Sequence, residues 1–167
     1  MAGFEALTHD DAGTRRLGVE LASVVRPGDV VLLTGDLGAG KTVLAKGLGA
    51  GLEVAEPVTS PTFNIMLAHE GRLPLYHFDL YRLEHAVQLE DIDYFGTLEA
   101  DGVSLVEWGD RFAEADPEQR VLVSITIDGD TERRLTVEGR GSRGEQLAEE
   151  WFARAVGLAS VEAVRTP

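Results

Sequence analysis

The chain has 167 residues, a formal net charge of −14 and no cysteine. This length suits a single domain with a sizeable core. The absence of cysteine excludes a disulfide framework and thiolate metal sites. The acidic excess argues against a broad direct contact with nucleic acid, because such binding depends on Lys and Arg. No apolar run approaches the ~20 residues of a membrane span and residues 1–5 do not read as a signal peptide, so we expect a cytoplasmic protein without membrane contact.

The first predicted element is a helix over residues 11–25, with Asp10 or Asp11 as its N-cap. The turn signal Pro-Gly-Asp at 27–29 ends it. A short apolar strand over 30–34 then runs directly into a glycine-rich segment. Apolar residues at helical spacing follow that segment, up to a stop at Gly51.

The glycine-rich segment fits the pattern G-x-x-x-x-G-K-[ST] of a phosphate-binding P-loop. In such a loop the glycines let backbone N–H groups point at phosphate oxygens, and the following helix adds its positive dipole end. Lys41 is expected to reach the outer phosphates, and Thr42 to offer its hydroxyl to Mg²⁺. The strand before and the helix after supply the context that the motif needs. The motif residues are Gly35, Asp36, Leu37, Gly38, Ala39, Gly40, Lys41 and Thr42.

The remaining predicted elements alternate between strands and helices. In chain order they are strands over 62–67 and 73–80, short helices within 84–100, a strand over 103–106, a hairpin of 121–127 with 134–137, and a helix over 142–156. This order predicts an α/β fold, a three-layer α/β/α sandwich with a mixed, partly parallel central sheet. We expect one domain over 1–156 and a frayed tail over 157–167.

Two of these strands end in a carboxylate, Asp79 and Glu107. In a P-loop protein, an apolar strand that ends in Asp is the arrangement that holds Mg²⁺ directly or through water. A carboxylate on a neighbouring strand can complete the metal shell or orient the attacking water, because Mg²⁺ prefers oxygen ligands and keeps several waters. We therefore predict that both carboxylates belong to the site.

Four further residues near these strands have structural or open interpretations. Thr62, within Ser-Pro-Thr-Phe at 60–63, either meets Mg²⁺ or the γ-phosphate, or lies in a plain turn. Trp108 is expected to pack in the core or on the surface, His77 to be structural, and Arg82 to be a solvated loop residue.

Taken together, these motifs resemble the TsaE (YjeE) family, the small P-loop ATPases of bacterial tRNA threonylcarbamoyladenosine biosynthesis. The resemblance runs from about residue 5 to 138. It rests on Gly-Asp-Leu-Gly-Ala-Gly-Lys-Thr at 35–42, Ser-Pro-Thr-Phe at 60–63, His-Phe-Asp-Leu-Tyr-Arg-Leu at 77–83 and Val-Glu-Trp at 106–108, in family order.

The resemblance implies a P-loop NTPase fold that binds ATP and Mg²⁺ and hydrolyses ATP slowly on its own. It implies the partners TsaD and TsaB, with tRNA contacted only indirectly. By family position Thr42 and Glu107 are the Mg²⁺ ligands, and Asp79 acts at the nucleotide or at the water around the metal. The catalytic set becomes Lys41, Asp79 and Glu107. The other implied nucleotide-site residues are Thr62 in a switch-like loop, Asp11 near the adenine, and Arg133. No function is implied beyond residue 139.

Three other classes of protein share the P-loop. A small-molecule kinase usually carries an arginine-rich lid, whereas the arginines here are scattered. A regulatory GTPase usually carries Asn-Lys-x-Asp after the P-loop helix, and no lysine follows Lys46. A nucleotide-binding interaction module without required hydrolysis stays open on sequence grounds.

Overall fold

The computed structural model describes residues 3–36, 38–59 and 65–167. Within these ranges the chain forms eight strands and five α-helices. Their bounds are β1 (Gly3–Thr8), α1 (Asp11–Ala22), β2 (Val30–Gly35), α2 (Lys41–Gly51), β3 (Met66–His69), β4 (Leu75–Asp79), α3 (Gln88–Asp91), α4 (Tyr94–Leu98), β5 (Val103–Glu107), β6 (Arg120–Ile127), β7 (Arg133–Arg140), α5 (Gly141–Ala155) and β8 (Val161–Arg165).

The strands form one sheet in the order β3-β4-β5-β2-β6-β7-β1-β8. The neighbours β4, β5, β2 and β6 are parallel, and the strands outside them pair antiparallel. The predicted mixed, partly parallel sheet is therefore confirmed. Because β4, β5 and β2 point the same way, their carboxyl ends meet at one edge, where ligands of α/β sheets commonly bind.

Alternating residues of the central strands face two separate apolar cores. Val31, Leu33 and Leu105 face a core shared with α1, α2 and α5. Val30, Leu32 and Val106 face a second core that includes residues of α3 and α4. Helices thus cover both faces of the sheet, which confirms the three-layer α/β/α prediction. No helix in the described ranges is long and apolar enough to cross a membrane, and the cytoplasmic location stays a prediction.

Helix α1 lies directly against α2, the helix that follows the P-loop sequence. A Cβ on Gly18 or on Gly47 would collide with backbone atoms of the facing helix, so only glycine permits this close approach. The carboxylate of Asp10 caps α1 by accepting a 2.8 Å hydrogen bond from the Gly13 N–H, as predicted. The helix ends at Ala22, earlier than the predicted residue 25.

The expectation of a frayed tail over 157–167 is wrong. Residues Val161–Arg165 form β8, which pairs antiparallel with β1 from Thr8 opposite Val161 to Phe4 opposite Arg165. Strand β1, which the sequence reading did not predict, would otherwise present unpaired N–H and C=O groups along an open edge. The sheet therefore continues past residue 156, although the assignment of the chain to one domain stays a prediction.

Candidate functional site

The described part of the glycine-rich loop joins the carboxyl end of β2 to the first residue of α2. Gly38 and Gly40 have φ of 80° and 108°, a left-handed backbone that favours glycine. Gly40 occupies the N-cap position of α2 and provides no side-chain cap. The N–H groups of the first helical turn therefore lack the usual side-chain acceptor and suit an anion instead.

Lys41 is 8% exposed and lies beneath this loop. Its Nζ donates a 2.7 Å hydrogen bond to the carbonyl oxygen of Gly35 and stands 4.6 Å from the ring centroid of Trp108. The ammonium group is thus held between the loop and an aromatic face, close to the first turn of α2.

Two carboxylates lie next to each other at the carboxyl ends of β4 and β5. The parallel register places Asp79 opposite Glu107, and β2 flanks Glu107 on its other side through Leu33. Asp79 Oδ1 accepts a 3.0 Å hydrogen bond from the Tyr81 N–H. Glu107 is 4% exposed, and its Oε2 lies 2.6 Å from Nε2 of His77.

The loop, the lysine and the carboxylates surround one cleft of about 380 Å³. Eight of the predicted site residues line it, together with Val43 and Trp108. These eight are Asp11, Gly38, Gly40, Lys41, Thr42, Asp79, Glu107 and Arg133. Asp11 comes from the start of α1 and Arg133 from the start of β7, so the cleft draws on distant parts of the sequence.

Other predicted residues lie outside the lining of the cleft. Gly35 ends β2, Asp36 is exposed, and Ala39 is buried with its N–H bonded to the carbonyl of Asp36 at 3.0 Å. Leu37 and Thr62 lie outside the described residues, so the alternatives for Thr62 stay open.

Arg133 extends from the β6–β7 hairpin over the loop. Its Cγ stands 3.8 Å from the position that a Cβ on Gly40 would take. Its Nη1 donates to the carbonyl oxygens of Gly129 and Glu132 at 3.1 and 2.9 Å. Its Nε is buried and has no hydrogen-bond partner among the residues that the structure describes. Buried N–H groups without an acceptor are uncommon, and this one belongs to a residue that lines the cleft.

The oxygen donors at the cleft suit a hard cation that also binds phosphate. Among the described residues no group of three or more His, Asp or Glu side chains could hold a metal ion by itself. The cleft instead offers the Thr42 hydroxyl and the carboxylates of Asp79 and Glu107. This sparse set fits Mg²⁺, which takes one or two protein ligands and completes its shell with phosphate oxygens and water.

Two residues beside the carboxylates, Trp108 and His77, have contacts at the site that the sequence did not predict. Trp108 was expected only to pack, yet it lines the cleft. Its ring also contacts that of Tyr81 in a tilted arrangement, with the centroids 4.9 Å and the planes 42° apart. Its adjacency to Glu107 was the signal in the sequence. His77 is structural in the sense that it is fully buried, but its contact with Glu107 was not anticipated.

A family model described as "Threonylcarbamoyl adenosine biosynthesis protein TsaE" matches residues 8–135 of this chain. The tRNA threonylcarbamoyladenosine biosynthesis protein TsaE of Bacillus subtilis (strain 168) is 42% identical over 138 residues, which cover 82% of this chain and 86% of that relative. The protein of the same name from Streptomyces coelicolor is 45% identical over 137 residues, covering 77% of this chain and 92% of the relative.

The crystal structure of YdiB from Bacillus subtilis is similar to this fold. It superposes with a TM-score of 0.74 at 35% sequence identity, covering 92% of this chain and 97% of that one. The matched family residues, 8–135, contain the glycine-rich loop, both strand-end carboxylates and Arg133. Helix α5 and strand β8 lie beyond them.

Proposed function

This chain belongs to the TsaE family, and from that premise we propose that it binds ATP with Mg²⁺ and hydrolyses it in support of tRNA threonylcarbamoyladenosine biosynthesis. One observation carries the proposal. The loop, its lysine and two strand-end carboxylates line the same cleft, although they come from different strands and helices.

The phosphate end of the nucleotide is assigned to the loop. Backbone N–H groups at the start of α2 and the positive end of its dipole attract phosphate oxygens. Lys41 adds a full charge, and its flexible side chain needs only to leave the carbonyl of Gly35 to reach a phosphate. Since the chain carries a net charge of −14, the charge of the nucleotide has to be met locally by these groups.

The carboxyl ends of β4 and β5 are assigned to metal and water. Thr42 and Glu107 would hold Mg²⁺, and the chemistry that the ion would supply there is neutralisation of the charge that develops on the phosphate oxygens. Asp79 lies beside Glu107 in the register of the strands and acts on the nucleotide or on water around the metal. Either carboxylate is placed to orient the attacking water.

The remaining lining residues are assigned to the rest of the nucleotide. Asp11, at the start of α1, lies at the side where the adenine is expected. Arg133 lies near Gly40 of the loop and lines the cleft, so its guanidinium group is assigned to the nucleotide.

Partners complete the proposal. TsaD and TsaB are expected to stimulate the weak turnover of the isolated protein and to contact tRNA themselves. With 15 Lys and Arg against 29 Asp and Glu, the chain is poorly suited to neutralise the phosphates of an RNA directly.

The first test measures release of inorganic phosphate from ATP, with and without TsaD and TsaB, for wild type and Glu107→Gln. We expect turnover by Glu107→Gln to fall roughly 10²–10³-fold, the usual loss for one transition-state electrostatic contact, with the Kd for ATP changed much less. Glu114→Gln, an exposed position away from the cleft, is the matched control. Equal losses in binding and turnover would assign Glu107 a structural role.

The second test concerns Asp79. In Asp79→Asn the shape is kept and the charge is removed, so we expect a loss of turnover on the same scale of about 10²-fold. A decrease of only a few-fold would show that Asp79 does not carry the chemistry. Transfer of the γ-phosphate to a metabolite, with no inorganic phosphate released, would instead favour the kinase alternative.

A further inference from the structure

His77 lies in the middle of β4, two residues before Asp79, and it does not line the cleft itself. Its side chain is 0% exposed, and its Nε2 stands 2.6 Å from Oε2 of Glu107. In the parallel register His77 lies opposite Leu105, and Asp79 lies opposite Glu107. His77 and Glu107 are thus diagonal neighbours on one face of the sheet, in a side-chain contact between adjacent strands.

The surroundings of the ring indicate which nitrogen carries the proton. Nδ1 of His77 is buried and has no hydrogen-bond partner in the described ranges of the chain, whereas Nε2 faces a carboxylate oxygen. A proton on Nδ1 would be a buried donor without an acceptor, which is unfavourable. A proton on Nε2 instead forms a short hydrogen bond to an acidic group, a strong type of hydrogen bond. The geometry therefore favours the Nε2–H form, with His77 as the donor.

Glu107 needs such a restraint if it is to serve the cleft. A glutamate side chain has several rotatable bonds, and a ligand or water-orienting group acts only when it is held in one orientation. The bond from His77 occupies Oε2. The side chain is only 6% exposed, and it lines the cleft, so the bond from His77 holds the carboxylate at the border of the cleft.

We propose that His77 is a positioning residue that fixes the carboxylate of Glu107 toward the cleft without touching nucleotide or metal itself. The inference rests on the proposed function and deepens it, because it assigns a residue outside the cleft to the same reaction. Groups that hydrogen-bond a ligating side chain typically change metal affinity or activity by about 10- to 100-fold when they are removed.

The chain offers a matched control in a second histidine. His69 lies on β3, next to β4, and its Nε2 is also buried without a partner. His69 has no hydrogen bond to Glu107 among the contacts of the described residues. His69 pairs with Leu75, at the other end of β4 from Asp79. A substitution there disturbs the neighbouring strand and leaves the Glu107 carboxylate bonded.

The activity test compares His77→Leu, which removes the donor, with His77→Gln, which keeps an N–H of similar reach, and with His69→Leu. For each, kcat, the Kd for ATP without Mg²⁺ and the Mg²⁺ concentration for half-maximal activity are measured. We expect His77→Leu to lose about 10- to 100-fold in kcat or in apparent Mg²⁺ affinity, with the Mg²⁺-free Kd unchanged. His77→Gln should recover most of that loss, and His69→Leu should match wild type.

A double-mutant cycle separates positioning from a purely structural role. In the Glu107→Gln background the carboxylate has already gone, so adding His77→Leu should cause no further loss of activity. Independent, multiplicative losses would overturn the proposal, as would a His77→Leu variant with wild-type kcat and Mg²⁺ dependence.

A spectroscopic readout keeps the inference testable without activity and without a variant of His77. Nitrogen-15 NMR of the ATP-free wild type should show the Nε2–H form of His77, and Glu107→Gln should shift that signal. An Nδ1–H form, or a signal unchanged by Glu107→Gln, would overturn the proposal. Failure of the proposed function appears differently, as wild-type protein that neither binds nor hydrolyses ATP while the NMR result holds.

Discussion

The two ends of the parallel strands bury charged side chains in different ways. At the amino ends, Arg143 of α5 donates to both carboxylate oxygens of Asp29 at 2.8 and 2.7 Å, and also to Glu150 and to the Val24 carbonyl. At the carboxyl ends, the ring of His77 bonds to Glu107 through one nitrogen and leaves the other unpaired. Arg133 likewise keeps its Nε without a partner.

At the amino ends the charged groups are paired within the protein. At the carboxyl ends some buried polar atoms have no partner in the described part of the chain. Most of the donors of Arg143 are used within the protein, so the cluster joins α5 to the turn before β2 and has little capacity left for anything else. At the carboxyl end, Nδ1 of His77 and Nε of Arg133 have no hydrogen-bond partner among the described residues, and Arg133 lines the cleft. Buried polar groups are normally satisfied, and the places where they are not are the ones to examine for function.

The largest expected effect is at the carboxyl end. Lys41→Ala removes the one full positive charge beneath the loop, so we expect ATP turnover to fall roughly 10²–10³-fold, about 2.7–4 kcal/mol of transition-state stabilisation. Lys46→Ala, the only other lysine of the chain and exposed on the same helix, is the control. Turnover that is unchanged in Lys41→Ala would exclude the loop as the phosphate site.

The amino end should respond in stability and leave binding intact. Arg143→Met leaves the carboxylate of Asp29, 3% exposed, without its cationic partner and, among the described residues, with only the 2.7 Å hydrogen bond from the Arg26 N–H. Removing one member of a buried ion pair costs about 3–5 kcal/mol, and because Arg143 is partly exposed we expect the lower figure. Urea unfolding measures the loss, with Arg165→Met as the exposed control near 0–1 kcal/mol. An Arg143→Met variant with weakened ATP binding and wild-type stability would contradict the distinction between the two ends.

A smaller effect concerns the aromatic ring at the cleft. The ammonium of Lys41 lies 4.6 Å from the Trp108 ring, a cation–π contact worth roughly 0.5–1 kcal/mol. We expect ATP to draw Lys41 away and change the fluorescence of Trp108. The other tryptophan, Trp151, is buried with its Nε1 bonded to the Leu17 carbonyl, so Trp108→Phe should abolish the response. A response that survives in Trp108→Phe would assign it to Trp151.

The smallest effect is the pH dependence of stability through His69. Burial lowers the pKa of His69 below its usual 6.5, the nearby His77 lowers it further, and Glu56 opposes both. The unfolded chain therefore binds a proton more readily than the folded chain does. The contribution of neutral His69 to the stability of the fold is therefore fully present above pH 6.5, and it is lost as the pH falls through the pKa of the folded state. Urea unfolding at several pH values across roughly pH 5–8 measures the free energy of unfolding. We expect this free energy to depend less steeply on pH in His69→Gln than in wild type, and equal slopes would contradict the prediction.

The sequence predicted the carboxyl end well because its signals are local. A strand, a glycine-rich loop and a helix follow each other within residues 30–51, and Asp79 and Glu107 each end an apolar run. Because adjacent parallel strands have their carboxyl ends at the same edge of the sheet, these residues can be predicted to lie close together even when the exact register is not known. Most of the residues that line the cleft could therefore be named from their neighbours in the chain.

Long-range pairing accounts for what the sequence did not predict. Strands β1 and β8 stabilise each other although they lie at opposite ends of the sequence, and each is too weakly patterned to stand out alone. The contact of His77 with Glu107 depends on the register of β4 and β5, which a single sequence does not specify. The role of Arg143 could not be predicted from the sequence, because its partner Asp29 lies far away in the chain.

The left-handed backbone conformation of Trp108 bears on any attempt to stabilise the protein by mutation. Its φ of 59° is an outlier for a bulky side chain, and such strain costs on the order of 1–3 kcal/mol. Glycine at this position would release that strain, but it would also remove a ring that packs against the second core and lines the cleft. We expect residue 108 to be a site where a strained backbone is kept because its side chain serves both the packing and the cleft.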